Sequence, residues 1–268
     1  MPILIGNIEK SLYNTRVIII KTLEQIEGIR KSSKLAALTL EYLSKIIKAG
    51  VSTEKLNELG HKFIVDHHSI PAPLNYSGFP KSICTSINNV VCHGIPSVDE
   101  ILKEGDIINI DVTTILNGYY GDVSASFPVG KISKEAQNLI NITKKCLNDS
   151  IKCLKPGKLL NDCVGKIIEP IAKKNNYSIV RELGGHGVGI SFHEDPFVYH
   201  FDTSQEKVVL KEGMIFTIEP MVNASPNSKI TLDRNDGWTI RTLDGSNSAQ
   251  FEHTVLITKN GSEILTTL

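Results

Sequence analysis

The chain has no net charge: 29 Lys and Arg are balanced by 29 Asp and Glu over 268 residues. That balance removes any global electrostatic case for nucleic acid or a membrane surface as partner. Cysteine is scarce, odd in number at five, and never spaced Cys-x-x-Cys. This argues against a disulfide framework and for reduced thiols in a reducing compartment. No apolar run approaches the ~18 residues of a membrane span. Met1–Arg16 has neither the basic start nor the apolar core of a signal peptide. The expectation is a cytoplasmic protein. A chain of this length buries roughly 70–75% of its unfolded surface, so it needs neither disulfide nor structural metal to fold.

Against these absences stands an internal repeat. Leu102-Lys103-Glu104-Gly105 opens a stretch that ends in Ile110-Asp111, and Leu210-Lys211-Glu212-Gly213 opens one that ends in Ile218-Glu219. Ile47-Lys48-Ala49-Gly50 and Leu154-Lys155-Pro156-Gly157 stand at matching distances upstream. A repeated polar turn followed by an apolar run and a carboxylate implies duplication. The predicted organisation is a short N-terminal arm, residues 1–21, then one domain, 22–268, made of two halves, about 22–145 and 146–268. Two such halves facing each other bring Asp111 and Glu219 into one central site.

The coarse pattern of elements agrees. Helical spacing runs from Thr22 to Ile47 and is read as ending at Gly50. A second helix starts at Ser52-Thr53-Glu54, a third spans Lys134–Leu154, and a fourth spans Asp162–Asn175 with a bend near Pro170. Strands are predicted over Ile83–Val91, Asp106–Leu116, Tyr119–Phe127, Tyr177–Leu183, Lys207–Leu210, Met214–Val222, Trp238–Thr242, Gln250–Thr258 and Ser262–Leu265. The fold class is α+β, an antiparallel sheet with helices on one face.

Asn117-Gly118 is the strongest hairpin signal in the chain. With those two residues as the turn, Leu116 opposes Tyr119, Thr113 opposes Asp122 and Asp111 opposes Ser124. Asp111 and Asp122 are then diagonal neighbours on one face, roughly 7–8 Å apart, close enough to share a metal pair. Glu219 and Glu252 are two more acids in apolar strands, where an unpaired carboxylate is costly. Four such acids together carry a charge that two divalent ions cancel. His186 lies in the glycine-dense Gly184–Gly189, where other groups can approach it closely. Oxygen-rich ligation with one His suits Co, Mn, Fe or Zn pairs, which polarise carbonyls and activate water. His93, at a strand end, is as readily a structural histidine as a catalytic one. Cys92 reads as core.

With these residues in view the chain resembles the type I methionine aminopeptidases of the pita-bread fold. The motifs that carry the resemblance are Asn88–Pro96, Asn109–Val112, Gly121-Asp122, Gly185–Gly187, Phe192–Glu194, Thr217–Met221 and Gln250–Thr254. They occur in order over nearly the whole chain. The resemblance implies a pseudo-twofold fold with a central antiparallel sheet covered by helices on one face. It implies five metal ligands, Asp111, Asp122, His186, Glu219 and Glu252, for two divalent ions. His93 and His193 are implied to contact substrate near the scissile bond. Tyr76, Phe79, Cys84, Phe192 and Trp238 are implied to line the methionine pocket, with Phe79 standing where the family has Tyr. Pro73 replaces a small residue at the rim, and the 225–229 segment is longer than usual. Asn88, Val90 and Ser248 match a monovalent-cation site. The implied activity is removal of the initiator methionine from nascent chains, by a cytoplasmic monomer acting near the ribosome, when the second residue is small. Two alternatives stand beside it: an Xaa-Pro peptidase on the same fold, and a non-catalytic peptide or ribosome binder.

Overall fold

The structure, a computed structural model, describes residues 17–204 and 207–267. Most of the expected N-terminal arm lies outside the described residues. Helix α1 (Leu23–Ser44) begins at Thr22, whose hydroxyl accepts from Gln25 N while the Gln25 side chain accepts from Thr22 N. This reciprocal capping pairs two amides that the first helical turn leaves without partners. Ser52 caps α2 (Thr53–Asp66) in the same position, and Ser133 caps α3 (Lys134–Cys153). Helices α4 (Leu160–Cys163) and α5 (Gly165–Lys174) follow. The break between them falls at Val164, not near Pro170, which α5 carries in its interior. A Cβ on Gly165 would lie 2.2 Å from the Phe201 carbonyl oxygen, so close backbone packing turns the chain there.

The strands are β1 (Ile70–Pro71), β2 (Cys84–Ile87), β3 (Val90–Cys92), β4 (Ile107–Leu116), β5 (Tyr119–Pro128), β6 (Ser178–Ile179), β7 (Gly185–Gly187) and β8 (Glu194–Val198). They continue with β9 (Ile215–Ile218), β10 (Met221–Asn223), β11 (Ile230–Leu232), β12 (Ile240–Thr242), β13 (Ser248–Gln250), β14 (Glu252–Ile257) and β15 (Ser262–Ile264). The main sheet runs β1-β4-β5-β14-β9-β7-β8, with β2 on β4 and β15 on β14. Two small sheets, β13-β10-β6 and β11-β12-β3, complete the fold. The named pairings are antiparallel. The β4–β5 register is the one the Asn117-Gly118 turn predicts, with Thr113 opposite Asp122 and Asp111 opposite Ser124. Both turn residues have positive φ, 52° and 83°, as a tight hairpin turn requires.

Several expected strands are shorter. Ile83–Val91 divides at Asn88, which turns with φ of 53°. Lys207–Leu210 makes only an isolated bridge, Leu159 to Val209. Tyr177–Leu183 keeps two strand residues, and the expected Met214–Val222 and Gln250–Thr258 strands each divide into two.

The repeated turns make the same hydrogen bonds in both copies. Gly50 N donates to Leu102 O and Gly157 N to Leu210 O, both at 2.9 Å. Gly105 N donates to Val129 O at 3.0 Å and Gly213 N to Ile257 O at 2.9 Å. Gly50 therefore belongs to this turn, and α1 ends earlier, at Ser44.

Period-two alternation divides the main sheet into two faces. Ile108, Ile110 and Val112 of β4 and Val123 of β5 pack with Ala36, Leu40 and Leu43 of α1 and with Leu56 and Ile64 of α2. On the same face, Phe216, Ile218, Val255 and Ile257 pack with Leu139, Leu147 and Ile151 of α3 and Ile168 of α5. A Cβ on Gly121 would lie 2.2 Å from Ser33 N, so only glycine lets α1 sit this close to β5. The intervening residues, Asp111, Thr113, Asp122, Ser124, Thr217 and Glu252, face the other way. No helix among the described residues is long and apolar enough to cross a membrane.

Candidate metal centre and substrate cleft

The polar face of the sheet opens into a cleft of about 910 Å³, part of it open to solvent. All the residues expected to hold metal or touch substrate line it, Tyr76, Phe79, Cys84, His93, Asp111, Asp122, His186, Phe192, His193, Glu219, Trp238 and Glu252, whereas Asn88, Val90 and Ser248 do not. Four strands and their ends bring the acids together. Asp111 comes from β4 and Asp122 from β5. Glu252 opens β14 opposite Ser124, and Glu219 follows directly on β9.

The donor set behaves as a cation site. His186 Nδ1 donates to the Gly187 carbonyl at 3.0 Å, which leaves the Nε2 lone pair unprotonated. That nitrogen faces Glu219 Oε1 at 3.6 Å and Asp122 Oδ2 at 3.8 Å, too far for hydrogen bonds. Ligand atoms of Asp122, His186 and Glu252 lie within 4.8 Å of one another. A lone pair aimed at carboxylate oxygens repels them unless a cation lies between. Burial pushes Asp122 up to about 7 and His186 down to about 4. Burial, then the neighbouring negative charges, raises Asp111 and Glu252 well above the usual carboxylate range. Glu219 is raised by burial and by Asp122 and Asp111, against a lowering hydrogen bond from Thr217. The protein alone cannot keep these acids ionised; divalent cations can. The residues therefore fit divalent metal.

Supporting side chains to which the sequence pattern assigns no role orient the acids. Thr113 Oγ1 donates to Asp122 Oδ1 and Thr217 Oγ1 to Glu219 Oε1, both at 2.7 Å. Gln250 Nε2 donates to Glu219 Oε2 at 3.2 Å. His200, fully buried and pushed down to about 3 by that burial, accepts the Glu219 backbone N–H at 3.0 Å. Thr113 and Thr217 were detectable in principle, one as the cross-strand partner of an acid and the other two residues before one. His200 gives no such signal.

An aromatic wall borders the acids. Tyr76 and Phe192 rings lie 4.8 Å apart, and Phe79 meets Trp238 edge-on at 5.2 Å. The Tyr76 hydroxyl hydrogen-bonds His193 Nδ1 at 2.9 Å. His93 sits at φ 55°, a strained conformation for a non-glycine residue. A Cβ on the following Gly94 would lie 2.0 Å from Thr85 O, so this chain segment is pressed onto β2. His93 Nδ1 is buried without a hydrogen-bond partner, and burial pushes the ring down to about 4. Half-buried His193 is likewise held well below its ordinary value by burial and by the neighbouring His186 and His93. Both rings are neutral at pH 7.

The loop carrying Phe192 and His193 is pinned from beneath. Glu194 Oε1 accepts the N–H groups of Ile190 and Ser191, at 2.7 and 2.8 Å. Its other oxygen meets the buried Lys21 ammonium. Near the small sheets, the Asn88 carbonyl accepts Ser248 N–H at 2.8 Å, so the expected monovalent-cation residues Asn88 and Ser248 meet.

Comparison with known proteins agrees with this geometry. The pattern of metallopeptidase family M24 matches residues 27–259. The chain belongs to metallopeptidase family M24. It has the pita-bread fold and is a metal-dependent aminopeptidase. Among its M24 relatives, the methionine aminopeptidase of Rickettsia prowazekii is 50% identical over 89% of this chain and 91% of its own. That of Escherichia coli strain K12 is 48% identical over 92% and 93%. The Rickettsia prowazekii crystal structure superposes with a TM-score of 0.90 over 94% of this chain and all of its own, at 49% identity. That from Thermotoga maritima gives 0.91 over the same shares, at 36% identity. An Xaa-Pro dipeptidase from Bacillus anthracis, 19% identical with a TM-score of 0.76, shares the fold alone; this chain spans 62% of it.

Proposed function

We propose that the chain removes N-terminal methionine from peptides whose second residue is small, using two divalent ions held by Asp111, Asp122, His186, Glu219 and Glu252. The observation that carries this reading is the His186 lone pair facing carboxylates at 3.6 and 3.8 Å, in a cleft walled by aromatic rings. When bound, the ions would supply Lewis acidity and an activated water. The chain's own residues do the rest. Asp122 and Glu252, at the junction of β5 and β14, would hold metal together with His186, and Asp111 and Glu219 would complete the set. Tyr76, Phe79, Cys84, Phe192 and Trp238 take an unbranched apolar side chain and exclude water around it. The unpaired Nδ1 of His93 gains a partner only when a polar group of substrate enters. His193, its Nδ1 tied to Tyr76, is oriented for hydrogen-bond or proton exchange near the scissile bond. Asn88, Val90 and Ser248 are the proposed site for a monovalent cation. The partners proposed are nascent polypeptide N-termini near the ribosome, met in the cytoplasm by a monomer.

The deciding experiment is turnover of Met-Ala-Ser by metal-free protein given Co, Mn, Fe or Zn in turn. Lys-Ala and Leu-Pro peptides serve as controls. Shortening the first side chain by one methylene or more should cost about 1–3 kcal/mol in transition-state binding. Equal rates on all three peptides would refute the specificity, and preference for Leu-Pro would favour an Xaa-Pro peptidase.

A further inference from the structure

Outside the cleft, two cysteines meet. Cys153 ends α3 and Cys163 ends α4, and their sulfurs lie 2.8 Å apart. A disulfide bond is about 2.05 Å long, so closure needs a shift of less than about 1 Å. The Cys163 thiol also donates to the Cys153 carbonyl, at 3.1 Å. Lys158 Nζ donates to Cys153 Sγ at 3.3 Å. The connection between the cysteines is held by the second copy of the repeated turn. Gly157 N donates to Leu210 O, Leu210 N to Lys158 O and Leu160 N to Val208 O, at 2.8 to 2.9 Å. The two sulfurs are thus brought together by backbone that has its own reason to be there. All five cysteines are free; Cys153 is partly exposed, whereas Cys84, Cys92, Cys146 and Cys163 are buried.

We propose that Cys153 and Cys163 form a reversible dithiol–disulfide couple whose oxidant is a low-molecular-weight disulfide. Cys153, the accessible member, meets the oxidant first. Its sulfur, as thiolate, bonds one sulfur of R–S–S–R, and the other leaves as a thiolate that takes up a proton. Lys158 supplies positive charge where negative charge gathers on sulfur. Cys163 then gives up its proton and attacks the Cys153 sulfur of the mixed disulfide, expelling the second R–S thiolate, which is protonated in turn. Two protein thiols are oxidised to one disulfide, and one external disulfide is reduced to two thiols. In this couple the dithiol is the resting form, and oxidation ties the end of α3 to the end of α4.

The test uses full-length, metal-loaded protein incubated with oxidised glutathione, alkylated and digested with trypsin. Cleavage at Lys152, Lys158 and Lys166 places the two cysteines on separate peptides, Cys153–Lys158 and Leu159–Lys166. The expected product in the wild type is those two peptides joined, and dithiothreitol separates them. Cys163→Ser should stop at a glutathione adduct on Cys153. Cys153→Ser should leave Cys163 unmodified, and Lys158→Met, whose two cysteines stay on the single tryptic peptide Cys153–Lys166, should protect that peptide from alkylation severalfold more slowly than wild type is joined. All three positions lie outside the cleft, so the variants should retain peptide turnover, which reports correct folding. If Cys163→Ser fails that check, the Cys153→Ser and Lys158→Met arms still decide. A wild type that accumulates the adduct on Cys153 without joining the peptides would overturn the proposal. So would full alkylation of both cysteines after oxidant, or a Cys153→Ser protein modified at Cys163 as fast as wild type is joined.

Discussion

At His93 the backbone is strained and the side chain is short of a partner, two costs borne at one position facing the cleft. Strain and unmet hydrogen bonds persist where the surrounding structure over-determines them and function uses them. His193 shares the cleft without being among the proposed ligands. His93→Ala and His193→Ala should therefore keep their metal while turnover falls about 10²–10⁴-fold. Metal content by elemental analysis, measured beside kcat, checks this; a variant that loses metal but regains full rate when metal is restored contradicts the assignment. The proposed ligands should behave differently. Asp122→Ala and Glu252→Ala should abolish both activity and metal binding, read by the same two measurements. The acids were legible in the sequence because a carboxylate in an apolar strand is conspicuous. Gln250 and His200 were not, because a polar side chain that finds a buried partner looks in sequence like one that faces water.

Among the elements, the loop between β7 and β8 depends on a contact made from the other end of the chain. Lys21 and Glu194 are 1% and 4% exposed at their side chains, and Glu194 also holds the amides of Ile190 and Ser191. Lys21→Met leaves a buried carboxylate without its cation, a change worth about 3 kcal/mol, or roughly 6–10 °C in melting temperature for a chain of this size. Turnover should fall as well, because Phe192 and His193 ride on that loop, while bound metal stays unchanged. Pairing it with Glu194→Gln should cost less than the two changes summed; additive losses would mean the ion pair does not position the loop. The β4–β5 register was legible to the residue, since one turn fixes ten opposed pairs, while each strand's outer end differs by one residue from the expected one. β7, β8 and β11 escaped notice because strands of three to five residues carry too little alternation to register. The Lys21–Glu194 pair escaped for a different reason: nothing local joins residues 173 positions apart.

For the molecule as a whole, the acids tie stability to metal and to pH. In the metal-free protein Asp122 holds its proton up to about 7, whereas an unfolded Asp releases it near 3.9. The native state then binds the extra proton, so this group erodes stability as pH rises from about 4 to about 7. Asp111, Glu219 and Glu252 act in the same direction. His93 and His186, pushed down to about 4, oppose them by losing stability as pH falls from their unfolded value. Bound cations reverse the acids' sign by keeping them ionised, and add about 2.7 kcal/mol at 100 times their dissociation constant. Chelation should thus lower the melting temperature at about pH 7.5 by roughly 5–10 °C, and by less near pH 5.5, where protons compete for the ligands. Thermal unfolding with and without chelator at both values decides it; a chelator-insensitive protein would mean the acids share no metal. The position of β14 has a further consequence, for the birth of the molecule. This strand is synthesised after every other strand of the main sheet except β15, yet it lies mid-sheet between β5 and β9 and brings Glu252. A chain still emerging up to residue 251 has β5 as an open edge and β9 without its neighbour, and lacks one acid of the centre. Unpaired edges of that kind invite pairing with other chains. Each new copy is therefore both inactive and most prone to aggregate until β14 arrives, and slowing synthesis just before Glu252 should raise the aggregated fraction more than the same delay after Ile264.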